Sequence, residues 1–177
     1  RKFYPIDDPM LCAEVDAKND FITFSIAGPF FNWFVVSGYF PKAWKLKIEK
    51  EAHIYNLFSV LLSKLWLSRL VNGSRMEPFL LGKEPFLPDF QLFYTLELSQ
   101  MFSELFEIPE MHLFRDDPAL QTFYDAMCER PSTQKILVAK ELELDVTKKE
   151  LYGGFGAAYL DKHIDRRILG GLFGREV

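Results

Sequence analysis

The sequence predicts an all-α domain, and three observations lead there. Apolar residues recur at helical spacing over long stretches: Leu46, Ile54, Leu57, Leu61, Leu65 and Trp66 form one series, while Lys47, Glu49, Lys50, Glu51 and Lys64 take other faces. Proline and aspartate punctuate the chain where helices start or stop, at Asp8-Pro9, Pro109, Asp117-Pro118 and Arg130-Pro131. No alternating apolar run is long enough to force a strand. At 177 residues, 49% of them apolar and eighteen of them Phe, the chain suffices for one aromatic-rich core. A domain of this size buries about 70% of the surface its unfolded chain exposes.

Taken in order, the first helix starts at Asp7 or Asp8, where a carboxylate caps free amides and Pro9 fits the first turn. It is expected to run to near Ser37, bent at Gly28-Pro29, because proline removes a donor and clashes one turn back. A turn at Ser37 to Pro41 leads to a second helix from Ala43 to Leu70, which Asn72-Gly73 ends. Ser74 to Phe86 reads as a loop and Leu87 to Glu107 as the third helix, stopped by Pro109. Asp117-Pro118 opens a fourth helix that Arg130-Pro131 closes, and Ser132 is expected to cap a fifth that reaches about Leu142. The domain is therefore drawn at 1–144, leaving 145–177 as a tail rich in glycine and charge.

Composition narrows the function classes. A net charge of −4 with no clustered basic face argues against nucleic acid, since phosphate contacts need concentrated cations. Cys12 and Cys128, one in each half, make neither a disulfide framework nor a metal spacing, so a reducing compartment is expected, cytoplasmic or mitochondrial. His53, His112 and His163 stand far apart with no partners at ligand spacing, and no metal site is expected. Tyr152-Gly153-Gly154-Phe155-Gly156 lacks the Lys-Ser/Thr of a phosphate loop and follows no strand; it reads as a turn. Residues 21–41 carry no charge and approach the length of a bilayer span. Thr23, Ser25, Gly28, Pro29, Asn32, Ser37 and Gly38 interrupt them, so a buried helix is preferred to membrane contact.

Asp89 falls in the first turn of the third helix, where a carboxylate meets exposed amides and the positive end of the helix dipole. A lone carboxylate at a helix start is a structural cap rather than a catalytic acid. Phe86, three residues earlier, offers no side-chain acceptor, and Pro88 presets a helical dihedral.

The run Phe79-Leu80-Leu81-Gly82-Lys83-Glu84-Pro85-Phe86-Leu87-Pro88-Asp89-Phe90, followed by Glu129-Arg130-Pro131-Ser132-Thr133-Gln134-Lys135, resembles the helical C-terminal domain of cytosolic glutathione transferases. Phe3-Tyr4-Pro5-x-Asp7 and Ala13-x-Val15-Asp16 look like the family's entry into that domain. The resemblance implies a bundle of about five helices, here with an extended C-terminal tail. It also implies that Asp89 matches the family's capping Asp, with half of the capping box lost at Phe86. The thioredoxin-like domain that binds glutathione and supplies the catalytic Ser, Tyr or Cys has no counterpart in these residues. No catalytic residue and no cofactor are therefore expected, glutathione entering only if an N-terminal domain exists.

In the family this domain contributes an apolar pocket built from its first helix and its tail. By that analogy Phe30, Trp33, Phe34, Tyr152 and Phe155 are candidate pocket residues, with plain core packing as the other reading of each. Three functions remain open: a non-catalytic scaffold domain in a larger assembly, bound to a protein partner or to a second copy; the electrophile-site domain of a transferase; and an apolar ligand-binding module. The tail cannot easily build its own core, and Ile164, Ile168, Leu169, Leu172 and Phe173 are its candidate docking anchors. If the tail docks, a chain truncated after Leu142 keeps its helical core and loses its partner in pull-down. Hydrogen exchange on the free chain is then fast in the tail and slow at 57–65 and 92–98, whereas tail protection in the free chain counts against docking.

Overall fold

The computed structural model describes residues 3–30, 50–105, 109–135 and 137–138, and these are mostly helical. Helix α1 spans Pro9–Phe21. Its start is set by Asp8, whose Oδ1 accepts from the Met10 and Leu11 amides at 3.1 and 3.0 Å, with Pro9 at the first helical position. The helix then widens into a π segment, Ile22–Ala27, and residues 28–30 continue helically. The local cause is Pro29, which can neither donate to a carbonyl one turn back nor tolerate it close by. Wider winding moves that carbonyl away, and the Gly28 amide donates to Thr23 O, five residues back. The π winding stands immediately before Gly28-Pro29, where a bend is expected. The expected helix end near Ser37 and the turn to Pro41 lie outside the described residues.

Helix α2, Lys50–Asn72, packs along the π segment and runs antiparallel to it and to the end of α1, with Ser63 beside Ile26, Trp66 beside Phe21 and Gly73 beside Lys18. Ser63 Oγ stands 2.9 Å from both Ile26 O and Ser59 O, so one buried hydroxyl bridges the two elements. Val15, Ile22, Ile26 and Phe30 meet Val60, Leu67 and Leu70 in a shared core. Among the described side chains of α2 the buried ones are Ser59, Val60, Ser63, Leu67 and Leu70; of the expected series Trp66 packs on the core, Leu65 is 57% exposed, and Leu46 with the side chains of Ile54 and Leu57 lies outside what is described. Two positions from Ser63 is about 200° around the helix, so Leu65 faces away from α1. Hydropathy misplaced the stripe because two of its members are serines. The helix ends as expected at Asn72-Gly73: the Gly73 amide donates to Arg69 O at 3.0 Å and Ser74 Oγ to Leu70 O at 2.6 Å.

The connection from Ser74 to Phe86, read as a loop, is irregular yet carries core. Phe79 and Gly82 exchange backbone bonds of 3.0 and 3.1 Å, Met76 and Gly82 have φ of +49° and +132°, and the Glu77–Pro78 peptide is cis. The tight turn drives Phe79, Leu80 and Leu81 into the interior, where the Phe79 ring meets Phe123 edge-on at 6.4 Å. Helix α3, Leu87–Leu105, follows and buries Leu92, Phe93 and Leu96. The N-terminal segment lies across its start, with the Leu87 amide donating to Phe3 O at 3.0 Å.

Beyond α3, a short 3-10 turn, Pro109–Met111, leads to α4, Pro118–Cys128. Asp117 caps α4 by accepting from Ala119 N and Leu120 N at 3.0 and 3.1 Å, and Leu120, Phe123 and Met127 supply its buried stripe. The next helical stretch begins at Pro131 rather than after Ser132: Arg130 O accepts from both Thr133 N and Gln134 N at 3.0 Å. Ser132 therefore lies within the first turn and is not the cap, because proline's fixed φ suits the first helical position. Residues 131–135 and 137–138 are helical, and the expected continuation to Leu142 lies outside the described residues. Among the described residues there is no β-strand, and no helix is long and apolar enough to cross a membrane.

Gly82 isolates a backbone effect, because a Cβ there would meet nothing within 4 Å while its φ of +132° strains any other residue. Gly82→Ala is expected to lower stability by about 1 to 3 kcal/mol in urea unfolding without altering the helical signal. An alanine variant as stable as the parent would show that the turn relaxes.

Candidate functional site

Of the sequence-predicted site residues, Phe30 is fully buried in the hydrophobic core, and so packs rather than lining an open pocket. Trp33, Phe34, Tyr152 and Phe155 lie outside the described residues, as do the tail anchors Ile164, Ile168, Leu169, Leu172 and Phe173. Among the described residues no group of His, Cys, Asp or Glu is placed to hold a metal ion.

Asp89 is fully buried at the third position of α3. Its Oδ2 accepts from the Phe86 amide at 2.8 Å, the half of a capping box that Phe86 leaves intact. Its Oδ1 accepts from the Leu80 amide, also at 2.8 Å, which fastens the Phe79-Leu80-Leu81 turn to the helix start. Burial pushes the carboxyl up from its ordinary 3.8 to about 6, against the downward pull of the Leu80 and Phe86 amides and of the Lys18 charge.

Lys18 stands on the α1 side of this node. Its Nζ donates to Gly73 O at 3.3 Å and Ser74 Oγ at 3.0 Å, placing a cation at the carboxyl end of α2, where the helix dipole favours one. Burial lowers the ammonium's pKa, with Arg75 adding to the effect, while Glu14 and Asp89 oppose it.

The same Lys18 borders a groove of about 350 Å³ between α1 and α2. Ala17 and Phe21 line it from α1; Trp66, Arg69 and Leu70 line it from α2, and exposed Glu14 stands at its edge. Phe21 meets Trp66 edge-on at 5.7 Å and 84°, and the Arg69 guanidinium lies 5.0 Å from the Trp66 ring centre. Sequence reading missed this groove. The signal was Lys18 three residues before Phe21 and Trp66 three before Arg69, spacings that stack an aromatic and a cation on one helix face.

A second polar cluster joins α3 to α4. Tyr124 O–H donates to Glu97 Oε1, and its ring lies 5.2 Å from Phe93 and 4.8 Å from Phe114. Burial, then the bond to Glu97, raises the phenol's pKa far above its ordinary value, so it stays protonated. His112 packs its ring 4.4 Å from Phe114 with Nδ1 unpartnered, and burial lowers its pKa. Arg130 lies over the Phe3 and Phe90 rings, at 5.9 and 5.7 Å.

No family model and no curated protein matches this chain.

Because the folded Asp89 carboxyl holds its proton more tightly than the unfolded one, its contribution to stability is fully present below about pH 4 and is lost as pH rises through about 6. The full displacement corresponds to about 3 kcal/mol. Urea midpoints of the parent should fall across that window more than those of Asp89→Asn. At pH 7, Asp89→Ala should lose about 1 to 3 kcal/mol, since it strands the buried Leu80 amide. Equal pH slopes in parent and Asn variant would refute the assignment.

Proposed function

We propose that this chain is a non-catalytic helical interaction domain, built like the C-terminal domain of glutathione transferases and working as a scaffold within a larger protein assembly. The observation that carries this reading is where several reactive side chains among the described residues are directed. Cys12 Sγ donates to Pro5 O at 3.0 Å, Ser74 Oγ to Leu70 O, Ser99 Oγ to Leu96 O at 2.7 Å, and Thr122 and Thr95 hydroxyls to carbonyls one turn back. Tyr4 donates to Asp16 at 2.7 Å, which raises its pKa to about 12, and Tyr124 donates to Glu97. A nucleophile needs a base poised to take its proton. These protons instead bind main chain or a structural carboxylate.

Two features support the transferase-like architecture. Asp89 makes the N-terminal bonds expected of the family's capping Asp, and Arg130-Pro131 marks a helix junction. Exposed apolar side chains on α2 and the π segment, Phe24 at 74% and Leu65 at 57%, leave surface that a protein partner or a second copy would cover. A second reading, an apolar ligand-binding module, is favoured by the α1–α2 groove alone.

Calorimetric titration of the purified chain with glutathione, paired with a thiol-conjugation assay, distinguishes the scaffold from a transferase. No saturable heat and no conjugation are expected. Binding at micromolar glutathione would overturn the scaffold and restore the transferase reading.

A further inference from the structure

The α1–α2 groove combines three properties that define a ligand class. Its volume of about 350 Å³ lies at the lower end of small-molecule sites, enough for a fused pair of aromatic rings. Phe21 and Trp66 form perpendicular aromatic walls, and Ala17 leaves the space between the helices open. At the end nearest Gly73, Lys18 and Arg69 bring two cations to the groove, where Glu14 is the one carboxylate of the lining and buried Asp89 also acts on Lys18.

Both cations retain donors for an anion. Lys18 directs two bonds to Gly73 O and Ser74 Oγ, and an ammonium has three hydrogens. The Arg69 guanidinium lies 5.0 Å over the Trp66 ring centre, and a guanidinium carries five N–H donors. The negative end of the α2 dipole lies here too, but Lys18 already caps it, leaving Arg69 as the main anion contact.

We infer that this groove binds a small planar aromatic carboxylate, its rings against Phe21 and Trp66 and its carboxylate on Arg69 and Lys18. One anion suits the site, because Glu14 repels a second. A neutral ring of the same shape forgoes the charged contact.

The test is calorimetric titration of the full chain with 2-naphthoate and, separately, with the neutral 2-naphthylmethanol, at pH 7 and low salt. One saturable naphthoate site is expected, with the alcohol at least tenfold weaker. Arg69→Gln should weaken naphthoate at least tenfold and leave the alcohol unchanged, and Ala17→Phe, by filling the groove, should abolish both. Arg69 is exposed, so its variant folds independently of ligand, whereas Lys18→Met also removes a cap and is secondary. No naphthoate binding at millimolar concentration, equal affinity for the alcohol, or an Arg69→Gln chain that binds as tightly as the parent would each overturn the inference. Glutathione binding would overturn the scaffold reading without touching this one.

Discussion

A buried carboxylate must find donors, and the way Asp89 finds them organises the centre of this domain. The Leu80 and Phe86 amides come from either end of a short irregular turn, and the same carboxylate accepts both. One consequence is that the turn closes tightly enough to direct Phe79, Leu80 and Leu81 inward. Another is that α3 begins with an anchored first turn, across which the N-terminal segment can lie through the Phe3 carbonyl. The carboxyl is pushed up by burial yet still ionised near neutrality, because two amides and a nearby ammonium offset much of the desolvation.

The α1–α2 pair is held by a different device. Proline in a helix disrupts the ladder one turn back, and here the chain answers with wider winding, while a donor from another helix adds a cross-link at the same level. Ser63 Oγ stands within hydrogen-bond distance of Ile26 O in the π segment and of Ser59 O in its own helix. A small residue at 63 permits the close approach, and Lys18 ties the far end of the pair to Gly73 and Ser74. The groove beside Lys18 exists because the helices are pinned at these two levels while Ala17 fills little of the space between them.

The same economy of polar groups runs through α3 and α4. Hydroxyls at Thr95, Ser99 and Thr122 donate to carbonyls of their own helices, and Ser99 also accepts from the Leu113 amide. Tyr124 and Glu97 pair inside an aromatic cluster, where an unpaired member would be costly. Polar atoms in this core serve to fix geometry, which is why the functional reading turns on surfaces and on the groove.

By itself the sequence determined the helical class and the helix starts at Asp8-Pro9, Leu87 and Asp117-Pro118, because caps and prolines act within a turn of where they stand. It also placed Asp89 at a helix start, a local property. It could not show that the carboxylate reaches back to Leu80, since that bond depends on how the intervening turn folds. Neither could it orient α2: the buried stripe includes Ser59 and Ser63, and Ser63 faces the Ile26 carbonyl of another segment. Phe30, a candidate pocket residue, is part of the buried core, and the Lys18–Arg69 groove formed where two distant segments meet. Local hydrogen bonding is written in neighbouring residues, whereas which face is buried, and which cations share a groove, is decided only when helices pack.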